Sequence, residues 1–168
     1  MAVRFDVTFE GLGKLRQKLG RFTNTPALAE ATGKKFFVEA SKIMNEAKRI
    51  LVEEGHVDEG QLVQSGQVAT PEIVGGKVIV RFGFTAPYAV NVHEGRAPGR
   101  KMPPEGPIAD WARRHGLPPE AVFPIRRAIA RRGIAPVKFL ERPYLEWKKN
   151  ALEDIARFYR QQITAMAG

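Results

Sequence analysis

His93 and Glu94 are the pair of side chains that most resembles a fragment of catalytic machinery, because a His-Glu step is half of a zinc-protease helix. The other half is a second His one helical turn later, and position 97 is Ala. His93, Glu94 and Gly95 therefore read as a strand end turning into a glycine-dependent loop. His56 with Asp58 and Glu59 could hold a cation, but one imidazole and two carboxylates in a glycine-flanked loop read as solvated charge. The three histidines, His56, His93 and His115, lack the paired spacing of a zinc helix. The absence of cysteine removes thiolate ligands, disulfides and thiol nucleophiles together. Ser41 and Ser65 are the only serines; Gly66 follows Ser65, but Val63 stands where a nucleophile elbow needs its first glycine. The run from Gly95 to Pro104 has the glycines and cations of a phosphate loop without its Gly-Lys-Ser/Thr end or a following helix. No catalytic residue, metal ligand or cofactor is expected.

What the chain does carry is charge. Lys and Arg number 27 against 18 Asp and Glu, a net +9. Residues 96–142 hold 11 of those cations and only four acids, so +7 lies in one segment. Such a segment attracts polyanions or an acidic protein surface. Arg96, Arg100, Lys101, Arg126, Arg127, Arg131 and Arg132 are the candidates to face DNA or a partner. Ile108–Gly133 could be a helix-turn-helix, with two short basic helices around a glycine-containing turn. Against that, Pro118, Pro119 and Pro124 deny the would-be recognition helix a continuous first turn, where base contacts originate. The arginines are also spread over a loop and two helices instead of one stripe. The expectation is weak, sequence-blind DNA contact at most, set against a solvated helix face or pairing with Glu53, Glu54, Asp58 and Glu59 of another copy.

The elements that must position these residues follow from periodicity. Val3, Phe5, Val7 and Phe9 alternate with polar residues, a half-buried strand. Leu12, Leu15, Leu19 and Phe22 then make the stripe of a short helix. Thr25 and Pro26 are suited to open a helix running to about Glu54, with Phe36, Ala40, Ile43, Met44, Ala47, Ile50 and Leu51 as its apolar face. After the polar stretch Gly55–Gly66, runs Gln67–Val74 and Lys77–Phe84 flank Gly75-Gly76, a two-residue hairpin turn. Tyr88–His93 reads as a third strand. Arg96–Pro107, with Pro98-Gly99, Pro103-Pro104 and Gly106-Pro107, reads as an arm that neither pairs nor coils, mobile until assembly orders it. Short helices are expected from Pro107 to His115 and from Pro124 to Arg132, stopped by Gly116 and Gly133. Pro143 opens a last helix whose stripe is Leu145, Leu152, Ile155, Tyr159, Ile163 and Met166. Phe36, Ile43, Ala47, Phe82 and Ile155 should be nearly inaccessible, and Trp111 and Trp147 should serve packing.

The order of short blocks resembles the phage neck or tail-completion proteins of long-tailed bacteriophages. Phe9, Gly11 and Leu12 lead into a Leu-rich helix and then a long one. Gly60, Leu62 and Ser65 form a Gly-x-Leu-x-x-Ser block, and after the hairpin come Tyr88-Ala89 and His93-Glu94-Gly95. Ile129–Ile134 and then Phe139, Leu140 and Pro143 complete the series. Glu59 and Val63 stand where the family usually has Thr and Arg. The resemblance implies a structural virion protein without catalytic residues. It implies a homo-oligomeric ring, a hexamer, seated between the head connector or adaptor and the tail tube or tail terminator.

The fold class expected is α+β: an antiparallel sheet with a central hairpin, packed against the long helix and the C-terminal helix. A single domain of 1–168 would contain a Pro/Gly-rich basic insertion of loop and short helices at 96–142. No run approaches the roughly 18 to 20 apolar residues of a membrane span, so a soluble protein made in a cytoplasm is expected; the resemblance implies a host bacterial cytoplasm and a place in the virion.

Overall fold

Val3–Phe9 (β1) satisfies its strand alternation by pairing antiparallel with Lys77–Phe84, from Val3 opposite Phe84 to Phe9 opposite Val78. The structure, a computed structural model, describes residues 3–9, 25–75 and 77–167. Gly11, Leu12, Leu15, Leu19, Phe22 and Gly76 lie outside them, as does the expected Leu-rich helix. Between the two paired strands come α1 (Thr25–Glu53), a single turn α2 (Gln61–Gln64), β2 (Gly66–Val68) and β3 (Glu72–Val74). The second paired strand, Lys77–Phe84, is β4. It is the spine of the sheet, with β1 on one side and both β2 and β3 on the other. Then follow α3 (Ala89–Glu94), α4 (Glu105–Arg114), a 3-10 turn (Pro119–Ala121), α5 (Val122–Arg132) and α6 (Glu141–Ala167). The α+β class holds: antiparallel sheet on long helices.

The chain divides into two units, Met1–Ala89 with Phe139–Gly168, and Val90–Lys138. In the first, Val78, Val80, Phe82 and Phe84 of β4 are buried and meet the α1 face of Phe36, Ala40, Ile43, Met44, Ala47, Ile50 and Leu51. Phe139 and Leu140 are fully buried, and the Phe139 ring stands edge-on to Phe84 at 4.9 Å. α6 packs antiparallel on α1: Arg142 reaches Glu54 at one end, at 2.6 Å, and Tyr159 hydrogen-bonds Thr32 at 2.8 Å toward the other. Burial of each large apolar side chain in this core contributes roughly 1.5–3 kcal/mol.

Four expectations are corrected here, and the polar stretch Gly55–Gly66 acquires an element. The run Gln67–Val74 is two strands, because Pro71 has no N–H to give a ladder and packs beside Gly33 of α1 instead. Within Gly55–Gly66 the chain makes the turn α2. Tyr88–His93 is helical over Ala89–Glu94; Ala89 N–H closes a turn onto Ala86 at 3.0 Å, and the buried residues are Ala89 and His93, four apart. Three helices begin two residues before the prolines expected to open them, at Glu105, Val122 and Glu141. Pro107, Pro124 and Pro143 sit third, where the missing N–H has no intrahelical acceptor to lose. On α6 the stripe is rotated from the leucines. Leu145 and Leu152 are exposed, the latter 81%, and Ile155 is half-buried where near-inaccessibility was expected. Pro143, Ala151 and Tyr159 are buried instead.

Candidate functional site

The Val90–Lys138 unit is closed at its base by a backbone clamp. Arg96 and Ile134 exchange both N–H···O bonds at 2.8 Å, and Val137 and Lys138 donate to Val92 and His93 at 3.2 and 3.1 Å. A glycine flanks each side of the bridge. Gly95 has φ +69° and a Cβ there would lie 2.4 Å from Ile134 O; Gly133 has φ +74° and would meet Arg96 O at 2.2 Å. The His93-Glu94-Gly95 block thus ends a helix at the clamp, which corrects the expected strand end. His93 is buried, and its Nδ1 lies 3.0 Å from Glu94 Oε1, while Lys138 Nζ donates to Glu94 Oε2. The Lys138 ammonium first, and His93 second, hold the Glu94 carboxyl below its ordinary range. An ionised carboxylate only accepts, so the imidazole donates. These groups tie the segment after α5 to the end of α3.

The other blocks are structural in the same way. Gly60 caps α2 with φ +75°, Leu62 is buried, and Ser65 donates its hydroxyl to Leu62 O at 2.8 Å while its carbonyl accepts from Thr85 N–H at 3.3 Å. The Gly-x-Leu-x-x-Ser spacing therefore fastens one helical turn to the end of β4. Ser41 donates to Phe37 O at 2.8 Å. Tyr88 is exposed, whereas Ala89 is fully buried. Trp111 and Trp147 are half-buried; Trp111 stacks on His115 at 4.3 Å and Trp147 lies beside Tyr144 at 5.9 Å.

The seven basic candidates separate into two groups. Arg126 is turned inward, donating to Pro103 O at 2.9 Å and Glu105 at 2.6 Å, and the Arg96 guanidinium donates to Lys101 O. With Gly99 N–H on Ala130 O at 2.8 Å, they tie the Pro/Gly-rich segment to α5 and the clamp; the expectation that Arg96–Pro107 neither pairs as a strand nor forms a helix is corrected at its two ends, where Arg96 bridges Ile134 and Glu105 begins α4. Arg100, Lys101, Arg127, Arg131 and Arg132 are exposed and, among the described residues, make no ion pair. Arg127 and Arg131 follow Phe123 at successive turns of α5, and Arg132 continues the adjacent ridge of Pro124 and Ala128. These three arginines share one shallow concavity, and Arg100 and Lys101 are not among its lining residues. Phe123, 56% exposed, was missed as a surface residue; its four-residue spacing from Arg127 was the signal. α5 is continuous from Val122, so the prolines are no objection to a recognition helix. Glu53 and Glu54, expected as partners for another copy's arginines, are engaged by Arg49 and Arg142 of their own unit.

Compared with family models, with curated proteins and with solved structures, the chain matches none. Among the described residues no helix is long and apolar enough to cross a membrane.

Proposed function

We propose that this protein is a structural, self-assembling subunit of the head-to-tail joining kind, forming a ring between head connector and tail tube. The observation that supports self-assembly is the apolar surface the first unit leaves in solvent: Leu145 and Leu152 on α6, with Phe37, Val38 and Val52 on the outer side of α1. Leu145 and Leu152, seven residues apart, stand two turns apart on one face of α6, and exposed apolar side chains that share a face suit a protein contact. The order of the sequence blocks supports the place in the virion. Their residues cap, buckle and clamp, as expected of an architectural part.

A sequence-reading helix-turn-helix is disfavoured on a different ground from the prolines. Val122, Phe123, Pro124 and Ile125 begin α5, and none offers a side-chain donor or acceptor to a base edge. The test is native mass in the absence of nucleic acid, on the wild-type chain and on Leu145→Lys/Leu152→Lys. The wild type should form a closed oligomer, and the double variant should fall to smaller species that keep the wild-type circular-dichroism spectrum, since both sites are exposed on the single chain. A wild-type chain that stays monomeric at every concentration overturns the reading.

A further inference from the structure

We propose that the outer face of α5 binds single-stranded nucleic acid without sequence preference, through Arg127, Arg131 and Arg132 on phosphates and Phe123 under a base. This goes beyond the ring reading and does not rest on it. Phe123, Pro124, Arg127, Ala128, Arg131 and Arg132 line a concavity of about 280 Å³. Its lining side chains hold no carboxylate, hydroxyl or amide oxygen. All of its hydrogen-bonding side chains are donors, and each guanidinium offers five N–H groups. Among the described residues the three arginines have no hydrogen bond or ion pair to give up on binding. A phosphodiester backbone presents acceptors only, whereas a protein surface presents donors and acceptors together, so the donor-only lining favours the nucleic acid.

Two further features select the strand state and the range of attraction. Four residues of helix rise about 6 Å, so Phe123, Arg127 and Arg131 form a stripe one turn apart, an aromatic face leading into cations. A base can stack on an exposed phenyl ring only when it is unstacked from its neighbours, which a duplex denies. The Val90–Lys138 unit carries ten Lys and Arg against four Asp and Glu, so its field draws a polyanion toward the face.

The test is fluorescence anisotropy of the full chain with labelled oligo-dT, the matching duplex, and polyglutamate, titrated over salt. Oligo-dT should bind best, with a slope of log affinity on log salt near about −2 for three phosphates at about −0.7 each. Arg127→Gln/Arg131→Gln/Arg132→Gln should abolish binding with melting temperature unchanged, and Phe123→Ala should weaken oligo-dT by roughly fivefold or more while sparing any residual duplex binding. Equal binding of duplex with no effect of Phe123→Ala overturns the single-strand assignment. Polyglutamate bound as tightly as oligo-dT replaces the nucleic acid with an acidic protein, and no oligo-dT binding at low salt refutes the site. Each outcome leaves the native-mass result unaffected, so this site and the ring stand or fall separately.

Discussion

The hydroxyl of Thr32 carries one proton, committed to Leu28 O at 2.7 Å, so Tyr159, 2.8 Å away, is the donor in the bond that joins α6 to α1. Burial pushes the Tyr159 phenol above its ordinary value, and Thr32 opposes this only by leaving Leu28 to donate to a phenolate. A phenol with a raised folded pKa keeps its proton where the unfolded chain loses it. Its contribution is whole below pH of about 10 and is lost as pH rises further. Denaturant midpoints should therefore fall above that pH, and Tyr159→Phe should flatten the alkaline decline while losing about 1 kcal/mol at neutral pH. Glu39 works at the other end of the scale. Burial pushes its carboxyl up, but hydrogen bonds from Lys35 at 2.9 Å and Lys42 at 3.0 Å outweigh that and hold it below the ordinary value. Its contribution is present above the unfolded pKa, about 4.3, and lost as pH falls through the lower folded value. Glu39→Gln should make stability less steep in acid; an unchanged slope would show that the two lysines do not discriminate the ionised form.

At the scale of elements, close backbone approach sets which positions tolerate a methyl group. A Cβ at Gly83 would lie 2.2 Å from Val3 O and 2.8 Å from Arg4 Cα, so Gly83→Ala must part β1 from β4. The loss should reach the upper end of roughly 1–3 kcal/mol or exceed it. Gly106→Ala in α4 meets nothing within 4 Å and should be neutral or stabilising by up to about 1 kcal/mol. Thermal melts of the two variants separate these effects. Arg126→Ala frees Pro103 and Glu105 together, and trypsin should then cut faster after Arg100 and Lys101; an unchanged rate would mean the guanidinium is not what restrains the segment. β4 and α1 were legible in the sequence because each has one strongly apolar face whose period matches a single element. Ala89–Glu94 was not, since Tyr88, Val90 and Val92 alternate like a strand while the turn at Ala86 decides the conformation. The α6 face was misread because leucine spacing is local. Packing against Trp147 and Ala151 depends on what α1 presents. The α5 face was half legible: its arginines are plain in sequence, but only Glu105 and the Pro103 carbonyl reveal that Arg126 belongs elsewhere.

At the scale of the molecule, the first unit is interrupted in sequence: α6 returns to α1 only after the whole of Val90–Lys138 has been made. An unfolded intervening segment is a long loop, and each doubling of loop length adds about 0.6 kcal/mol to the entropy of closing it. The Arg96–Ile134 bridge brings two points near the ends of that segment side by side and shortens the effective loop to about a dozen residues. Two doublings vanish, about 1–2 kcal/mol, or roughly a tenfold change in a rate limited by that closure. The clamp would thereby act in time as well as in space: if the Val90–Lys138 unit folds before α6 docks, it sets the pace at which the discontinuous unit is completed. Gly133→Ala, which drives a methyl group onto Arg96 O, should slow the refolding phase that docks α6 about tenfold in stopped-flow experiments. The unfolding rate of that docked helix should change little, because the closed unit no longer needs the bridge once α6 has arrived.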